Sequence, residues 1–186
     1  MILEAIITTT NDDGSVNVSP MGPLVEGDPT DGFELRTFET SQTFANLQQR
    51  PFGVLHVTDD VMLFAKSAIG KLNEIPAVRS ADVNENAFIL EDACRWIEFE
   101  AVFFESSSPR KNIRCKPVAA GSQRDFFGFN RGKHAILEAA ILATRIDFLP
   151  GEVVQSQFES LRVIVDKTGG AAEDEAMALL EQFVAR

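Results

Sequence analysis

The spacing of apolar and polar residues divides the chain into two parts that meet near residue 130. Before that point, apolar and polar residues alternate with period two, or β-branched and aromatic residues are enriched, and both patterns are typical of strands. Turn-forming residues such as Asn11-Asp12-Asp13-Gly14 separate these segments. The predicted strands cover residues 2–9, 15–19, 33–38, 53–58 and 96–104, and Ser106-Ser107-Ser108-Pro109 is expected to end the last one.

Two short helices are predicted among these strands. Thr40 or Ser41 can cap a helix that ends before Pro51, because a hydroxyl in this position accepts a hydrogen bond from a free N–H of the first turn. Residues 61–69 have a second helical pattern, which Gly70 closes.

After residue 130 the apolar positions repeat with the period of a helix and form three stripes. Asn130 can cap the first of these helices, Pro150-Gly151 separates the first from the second, and Gly169-Gly170 separates the second from the third. We therefore expect an α+β protein that is mainly β with a helical C-terminal part. Residues 1–125 should form the β domain, and residues 126–186 should form a helical subdomain packed on it.

Composition and charge limit the partners that this chain can have. The 186 residues are 45% apolar and 24% charged, which is typical of a globular protein, and 17 Lys and Arg against 28 Asp and Glu give a net charge of -11. This charge raises the cost of approaching a nucleic acid or an anionic membrane, so neither is an expected partner. The N-terminus has no basic leader pattern, and no segment approaches the ~18 apolar residues of a membrane span. The sequence therefore predicts a cytoplasmic protein.

The cysteines and histidines give no sign of a metal site. Cys94 and Cys115 are the only cysteines, His56 and His134 are the only histidines, and no pair has the short spacing of a zinc site. Both thiols are expected to be reduced and partly buried, with a disulfide between them as the alternative.

The segment from Arg36 to Thr43 concentrates groups that bind phosphate. It contains a guanidinium, the hydroxyls of Thr40, Ser41 and Thr43, and the start of a helix, where free N–H groups and the positive end of the dipole favour an anion. Arginine can engage two phosphate oxygens, while hydroxyls and amides complete the remaining contacts. These residues therefore predict a monophosphate site, although the same pattern is also that of a plain helix N-cap.

A second candidate is Asn17-Val18-Ser19-Pro20-Met21-Gly22. Proline and glycine break the β-ladder here and leave main-chain groups facing outward, where they can address the polar edge of a flat heteroaromatic ring. Val18 and Met21 can supply an apolar face to the same ring. The alternative is a strand end followed by a Pro-Gly turn.

Two groups of cations stand out in this acidic chain. Residues 110–116 carry four cations, which we interpret as a solvated loop and helix start that balance nearby carboxylates, with a second anionic ligand as the alternative. Arg131 and Lys133 lie at a helix start, where positive charge opposes the macrodipole, so a bound phosphate or carboxylate would relieve the conflict. His134 is interpreted as a surface residue, with proton donation as the alternative, and Asp59-Asp60 as a turn and helix cap.

Several of these segments occur together in one known family. They are 1–6, 17–22, Arg36 with 40–47, 53–60, and Phe129-Asn-Arg-Gly-Lys-His-Ala-Ile-Leu-Glu-Ala-Ala-Ile-Leu-Ala-Thr-Arg145. In this combination the chain resembles an uncharacterised, largely archaeal family within the flavin-reductase-like split β-barrels that bind flavin mononucleotide (FMN). The resemblance covers the chain up to about residue 150, and its specificity lies in the combination of motifs.

The resemblance implies an FMN-binding split β-barrel with a helical C-terminal part, and a homodimer of six-stranded barrels with FMN near the interface. Arg36, Thr40, Ser41 and Thr43 would hold the phosphate. The remaining candidate contacts are Asn17, Val18, Ser19, Pro20 and Met21 along the ring or ribityl chain, His56, Val57 and Thr58 through their main chain, and Arg131 and Lys133 near the phosphate or a substrate.

The implied function is that of an FMN-dependent oxidoreductase or flavin reductase, in which hydride passes through N5 of the flavin. Because the cofactor performs this chemistry, no catalytic base need appear in the sequence. Two alternatives are a flavin-binding protein that relays electrons and a flavin-free binding module. The family resemblance also suggests a link to methanopterin-type one-carbon metabolism, while the small-molecule substrate and the electron donor stay open.

Overall fold

The computed structural model describes residues 1–106 and 110–185, and for residues 103–106 it describes the backbone only. The strands are β1 (Ala5–Thr10), β2 (Val16–Met21), β3 (Phe33–Phe38), β4 (Phe52–Val57), β5 (Val78–Ser80), β6 (Phe88–Leu90), β7 (Arg95–Ser106) and β8 (Arg110–Ser122). The helices are α1 (Gln42–Gln49), α2 (Val61–Ala68), α3 (Arg131–Ala143), α4 (Gly151–Thr168) and α5 (Ala171–Val184). The five predicted strands and five predicted helices are confirmed, while most of the expected strand end at Ser106 to Pro109 lies outside the described residues.

The chain folds into two compact units. Residues 1–58 and 74–126 form the first unit, and residues from 59 to 73 and from 127 onward form the second. The sequence placed 59–73 in the β domain, but α2 lies in this segment and shares a core with the C-terminal helices. That core includes Val61 and Ala65 of α2 together with Ile136, Met177 and Leu180, all at most 3% exposed. The apolar side of α2 therefore belongs to the helical unit.

A six-stranded antiparallel sheet in the order β2-β1-β4-β7-β8-β3 forms the body of the first unit. One side of the sheet faces an apolar core that includes Ile7, Leu35, Phe99 and Ile113, each fully buried. Phe33 packs edge-on against Phe99, with ring centroids 5.2 Å apart. Because full burial of one such side chain contributes about 1.5–3 kcal/mol, this core determines which side of each strand faces inward.

The prediction of a loop and helix start at residues 110–116 was wrong, because these residues belong to β8. Ile113 and Cys115 point into the core, while Arg110, Arg114 and Lys116 are exposed. Only every second residue carries the apolar signal, and the cations between them obscured the alternation. The tertiary partner β3 pairs with the first six residues of this strand, from Arg110 to Cys115, and supplies hydrogen bonds there.

A two-stranded sheet of β5 and β6 covers part of the outer side of the large sheet. Thr8 Oγ1 donates to the carbonyl of Phe88 at 2.6 Å. His56 is fully buried between the two sheets: its Nδ1 lies 3.2 Å from the carbonyl oxygen of Ile6, and its Nε2 accepts from the N–H of Leu90 at 3.0 Å. Since Nε2 is an acceptor, Nδ1 carries the proton and the ring is neutral. His56 therefore joins β1 to β6.

Gly53 in β4 lies where two neighbours leave no room for a side chain. A Cβ at this position would lie 2.7 Å from Phe99 Cζ and 2.9 Å from the carbonyl oxygen of Thr8. We expect Gly53→Ala to destabilise the first unit by about 1–3 kcal/mol, because the Phe99 ring and the main chain of β1 must move. Denaturant unfolding followed by fluorescence of Trp96, the only tryptophan, measures the change. Gly27→Ala is the control, because its Cβ would meet only Asp31 Oδ2 at 3.9 Å. Equal stability of the two variants would contradict this reasoning.

Candidate functional site

The strands β2 and β3 form the two edges of the six-stranded sheet, and the sheet curls so that they face each other across an opening. Residues after β2 bridge this opening at one end: Leu24 donates to the carbonyl of Glu34 at 2.8 Å and accepts from its N–H at 3.0 Å, while Leu3 donates to the carbonyl of Pro23 at 3.0 Å. At the other end, α1 connects β3 to β4 and contacts β1, β2 and β3. The sheet is therefore a barrel that is split between β2 and β3.

Hydroxyl and amide side chains under α1 form a connected group, here called the polar cluster (Thr9, Asn17, Ser19, Thr43 and Asn46). Asn17 Nδ2 lies 3.1 Å from both Thr9 Oγ1 and Thr43 Oγ1, and Thr43 Oγ1 lies 3.1 Å from Ser19 Oγ. Asn46 Nδ2 donates to Thr9 Oγ1 at 3.0 Å. The structure thus joins the two candidate motifs, which are 24 to 26 residues apart along the chain at these contacts.

The first turn of α1 offers main-chain donors at the edge of the polar cluster. Ser41 is the N-cap, as one of the two sequence interpretations predicted, and its Oγ accepts from the N–H of Phe44 at 3.2 Å. Ala45 donates to the carbonyl of Ser41. The N–H groups of Gln42 and Thr43 have no acceptor in the described part of the chain, and no acidic residue lies in this turn. The helix start therefore presents free donors and a positive dipole end.

Thr37 is a candidate site residue that sequence analysis missed. Its side chain is 2% exposed, and among the described residues its Oγ1 has no hydrogen-bond partner. A buried hydroxyl without a partner costs about 1–3 kcal/mol, so such a group is a candidate contact for a ligand. The signal was present in the sequence, since Thr37 is an inward-facing polar residue two positions after Leu35 and directly before the turn into α1.

Arg36 and Thr40 lie at the same end of β3 but are exposed. Arg36 projects from the outer side of the strand, opposite to Leu35 and Thr37, and its cross-strand partner is Asn112. Its guanidinium can reach the opening only around the edge of β3. The inner side of the strand has a different cation: Lys111 is the cross-strand partner of Thr37, and its Nζ lies 3.2 Å from Glu39 Oε2.

The edge strand β2 presents main-chain groups to the opening. Asn11 donates to the carbonyl of Ser15 at 2.9 Å, and antiparallel pairs alternate from there, so the main-chain groups of Val16 and Val18 point away from β1. Pro20 lacks an N–H and fits an edge strand for that reason. Ser19 and Met21 share the inner side with Asn17, whereas the side chains of Val18 and Pro20 lie on the outer side.

The flavin contacts of residues 56–58 stay a prediction, and the structure shows which contacts these residues make within the protein. β4 has β1 on one side and β7 on the other, so its main-chain groups already have partners in the sheet. The carbonyl of Val57 also accepts from the N–H of Cys94 at 2.9 Å. Thr58 is buried at 7% exposure. Burial lowers the pKa of His56 to about 3, and the hydrogen bond to the carbonyl of Ile6 opposes this shift only in part. His56 is therefore a neutral structural residue.

Arg131 and Lys133 belong to the helical unit, where α3 begins. Arg131 is exposed, but Lys133 Nζ lies 3.0 Å from Glu173 Oε1 and donates to the carbonyl of Asp59 at 2.9 Å. The internal carboxylate of Glu173 thus supplies the anion that the cations at this helix start require. Asn130 caps α3, and Asp60 caps α2, as predicted.

Neither cysteine is placed for nucleophilic chemistry. Cys94 and Cys115 are both buried thiols that no disulfide joins, and burial raises the pKa of the Cys115 thiol far above its usual range. In the described part of the chain, no helix is both long and apolar enough to cross a membrane.

Comparisons with known proteins cover both units. A family model described as the N-terminal domain of a protein of unknown function (DUF447) matches residues 3–124, and the model of the C-terminal part of the same family matches residues 130–182. An FMN-bound protein from Methanosarcina mazei, described with the same family model, has a similar structure with a TM-score of 0.83 at 24% identity, covering 98% of this chain and 94% of that one.

More distant structures share the barrel. A flavin reductase domain protein from Arthrobacter has a TM-score of 0.56 at 12% identity, covering 67% of this chain and 80% of that one. An FMN-binding protein from Thermus thermophilus with bound 1-cyclohex-2-enone has a TM-score of 0.53 at 15% identity, with 65% and 70% covered. These likenesses confirm the predicted α+β split-barrel fold.

Proposed function

Because the chain belongs to the DUF447 family, we propose that it is a flavoprotein that binds FMN in the opening between β2 and β3. The observation that carries the proposal is the buried hydroxyl of Thr37, which has no hydrogen-bond partner among the described residues. Thr37 lies two residues before the turn into α1, where the first N–H groups have no acceptor in that part of the chain. The FMN-bound protein from Methanosarcina mazei supports the identity of the ligand.

The phosphate would bind at the start of α1. Thr37 Oγ1 and the N–H groups of Gln42 and Thr43 are donors without acceptors in the described residues, and a phosphate has oxygens enough for all of them. Asn17 and Thr43 hold each other in place from opposite sides of the opening. Ser41 acts through its capping bond, which orients the helix start, while Thr40 and Arg36 would approach the phosphate from the exposed side.

The isoalloxazine ring would lie along β2. The free main-chain groups of Val18 can pair with the polar edge of the ring, and the missing N–H of Pro20 leaves room there for an apolar contact. Met21, which is half-buried against the barrel core, offers a polarizable side chain near the same strand. This division assigns specificity for the phosphate to α1 and orientation of the ring to β2.

The reaction class follows from the cofactor. Bound FMN would supply hydride or electron transfer at N5, so the chain need only bind, orient and shield the flavin. We therefore propose an oxidoreductase or flavin reductase.

We further propose that it acts in the cytoplasm as a homodimer with FMN near the interface, because β2 and β3 leave the opening uncovered within one unit. Sedimentation of the holo protein measures the oligomeric state.

Binding is tested with the natively purified protein. We expect a yellow protein that releases FMN on denaturation, or an apo protein that regains a flavin spectrum when soaked with FMN. Riboflavin, which lacks the phosphate, should bind more weakly by about 10-fold or more, because charge-assisted hydrogen bonds contribute about 1.5–3 kcal/mol each. Failure to bind either flavin at high micromolar concentration would refute the proposal.

Turnover is tested separately from binding. The holo protein is mixed anaerobically with NADH, NADPH or reduced deazaflavin, and bleaching of the flavin is followed. Rapid bleaching by one of them would support an oxidoreductase. Bleaching by none would leave FMN binding intact and would contradict the proposed reaction with these donors.

A further inference from the structure

We infer that Lys111 is the cation that binds the phosphate. We infer further that the carboxylate of Glu39 forms an ion pair with the Lys111 ammonium group until a phosphate displaces it. This inference rests on the proposed function, since it concerns the same opening and the same ligand. Lys111 is not part of the sequence motifs. Glu39 would compete with the phosphate of FMN for Lys111.

The pairing of β3 with β8 places Lys111 beside the hydroxyl of Thr37. Lys111 in β8 is the direct cross-strand partner of Thr37 in β3, so both side chains leave the sheet on the same side. Side chains in this relation have Cβ atoms about 4.5–5.5 Å apart. The Lys111 side chain is only 16% exposed, so the ammonium group lies at the inner edge of the barrel rather than in bulk water.

Glu39, one partner of Lys111, is held much more loosely than Lys111 itself. Glu39 Oε2 lies 3.2 Å from Lys111 Nζ, but the Glu39 side chain is 67% exposed. An ion pair with one largely solvated partner is weak, because water competes for the carboxylate and its conformational entropy is lost on pairing. Glu39 follows β3 directly and can turn outward without disturbing the sheet. A phosphate dianion, with a larger charge and fixed donors around it, would replace it at Lys111.

The alternative cation is Arg36, on which the sequence motif depends. Arg36 lies on the outer side of β3, opposite to Thr37, and is exposed. A partly buried ammonium group interacts with an anion more strongly than an exposed guanidinium does, because water screens it less. Lys111 is therefore the better placed of the two, within a chain whose net charge of -11 would otherwise repel a phosphate.

The two residues should change FMN binding in opposite directions. Lys111→Met should weaken FMN by about 10- to 100-fold, because one charge-assisted contact is lost. Glu39→Gln should tighten FMN by about 2- to 10-fold, because the competing carboxylate is gone while a neutral amide remains. Riboflavin affinity should stay within about twofold of wild type in both variants, since riboflavin has no phosphate to meet Lys111.

The experiment is a titration of the full-length apo protein with FMN and with riboflavin, followed by quenching of flavin fluorescence. The variants are Lys111→Met, Glu39→Gln and Lys116→Met. Lys116→Met is the matched control, because Lys116 is an exposed cation of the same strand on the other side of the sheet. It removes the same charge and should leave the ratio of FMN to riboflavin affinity unchanged.

The outcomes separate the inference from the proposed function. If wild type binds neither flavin, both are wrong. If wild type prefers FMN but Lys111→Met keeps that preference, or loses FMN and riboflavin equally, the inference alone is overturned. Should Lys111→Met fail to fold, Glu39→Gln decides, because its exposed side chain tolerates the change: unchanged or weaker FMN binding would refute the competitor role. Added salt should weaken FMN binding less in Lys111→Met than in wild type.

Discussion

Replacing Thr37 with valine should weaken FMN binding by about 10- to 100-fold while leaving the apo protein as stable as wild type, or more stable by about 1 kcal/mol. Valine has nearly the same shape as threonine but lacks the hydroxyl. In the described part of the structure, Thr37 Oγ1 is buried without a partner, so removing it relieves a desolvation cost. With FMN bound, the same change would remove a hydrogen bond to a charged acceptor. The two effects have opposite signs.

Flavin titration and denaturant unfolding of the apo protein measure these two quantities. Thr43→Val is the matched control, because it also removes a buried hydroxyl, but one that lies 3.1 Å from both Asn17 Nδ2 and Ser19 Oγ. It should lose stability as well as affinity for FMN, since it leaves polar neighbours unpaired. A Thr37→Val protein that loses stability as Thr43→Val does would show that Thr37 serves the fold rather than the ligand.

Lowering the pH from 6.5 to 5 should reduce the stability of the first unit by about 2 kcal/mol through His56 alone. Burial lowers the pKa of His56 to about 3 in the folded protein, while an unfolded histidine titrates near its ordinary value of 6.5. Below pH 6.5, His56 therefore binds a proton in the unfolded chain but stays neutral in the folded chain. The stability is present above pH 6.5 and is lost progressively as the pH falls toward 3, because a protonated Nε2 would face the N–H of Leu90, donor against donor.

Denaturant unfolding of the apo protein at several pH values, followed by fluorescence of Trp96, checks this prediction. His56→Gln is the control, because glutamine is polar but does not titrate. It should be less stable than wild type at pH 7.5, yet its stability should change less between pH 6.5 and 5. Parallel pH profiles of wild type and His56→Gln would rule out His56 as the source.

The sequence predicted most of the regular elements, because period-two and period-3.6 patterns express burial on one side of a strand or a helix. It failed at β8, where Ile113 and Cys115 alternate with cations, and a run of cations favours a solvated loop when no partner strand is considered. It also placed α2 with the barrel, since the neighbours of Val61 and Ala65 in the core are residues about 70 to 120 positions later.

The residues of the candidate site were predicted only in part, because some of them become neighbours only through contacts between distant parts of the chain. The resemblance identified Asn17, Ser19 and Thr43, and the structure joins them in one polar cluster. Thr37 was missed although its inward position on β3 could be read from the sequence. Lys111 could not be predicted, because it lies 74 residues after Thr37 and only the pairing of β3 with β8 makes the two neighbours. The flavin contact predicted for His56 through its main chain stays a prediction, and tertiary contacts place the ring of His56 between Ile6 and Leu90.

By itself, the sequence determined the family, the α+β split-barrel class and the ends of the helices, because these follow from local patterns and caps, while the turn at which a phosphate would bind stays a prediction. Only the tertiary structure decided which side of β3 faces the opening and which cation stands there. The physical reason is that burial and register are properties of paired strands. Whether a buried hydroxyl such as that of Thr37 finds a partner among the described residues depends on the neighbours that the fold brings to it.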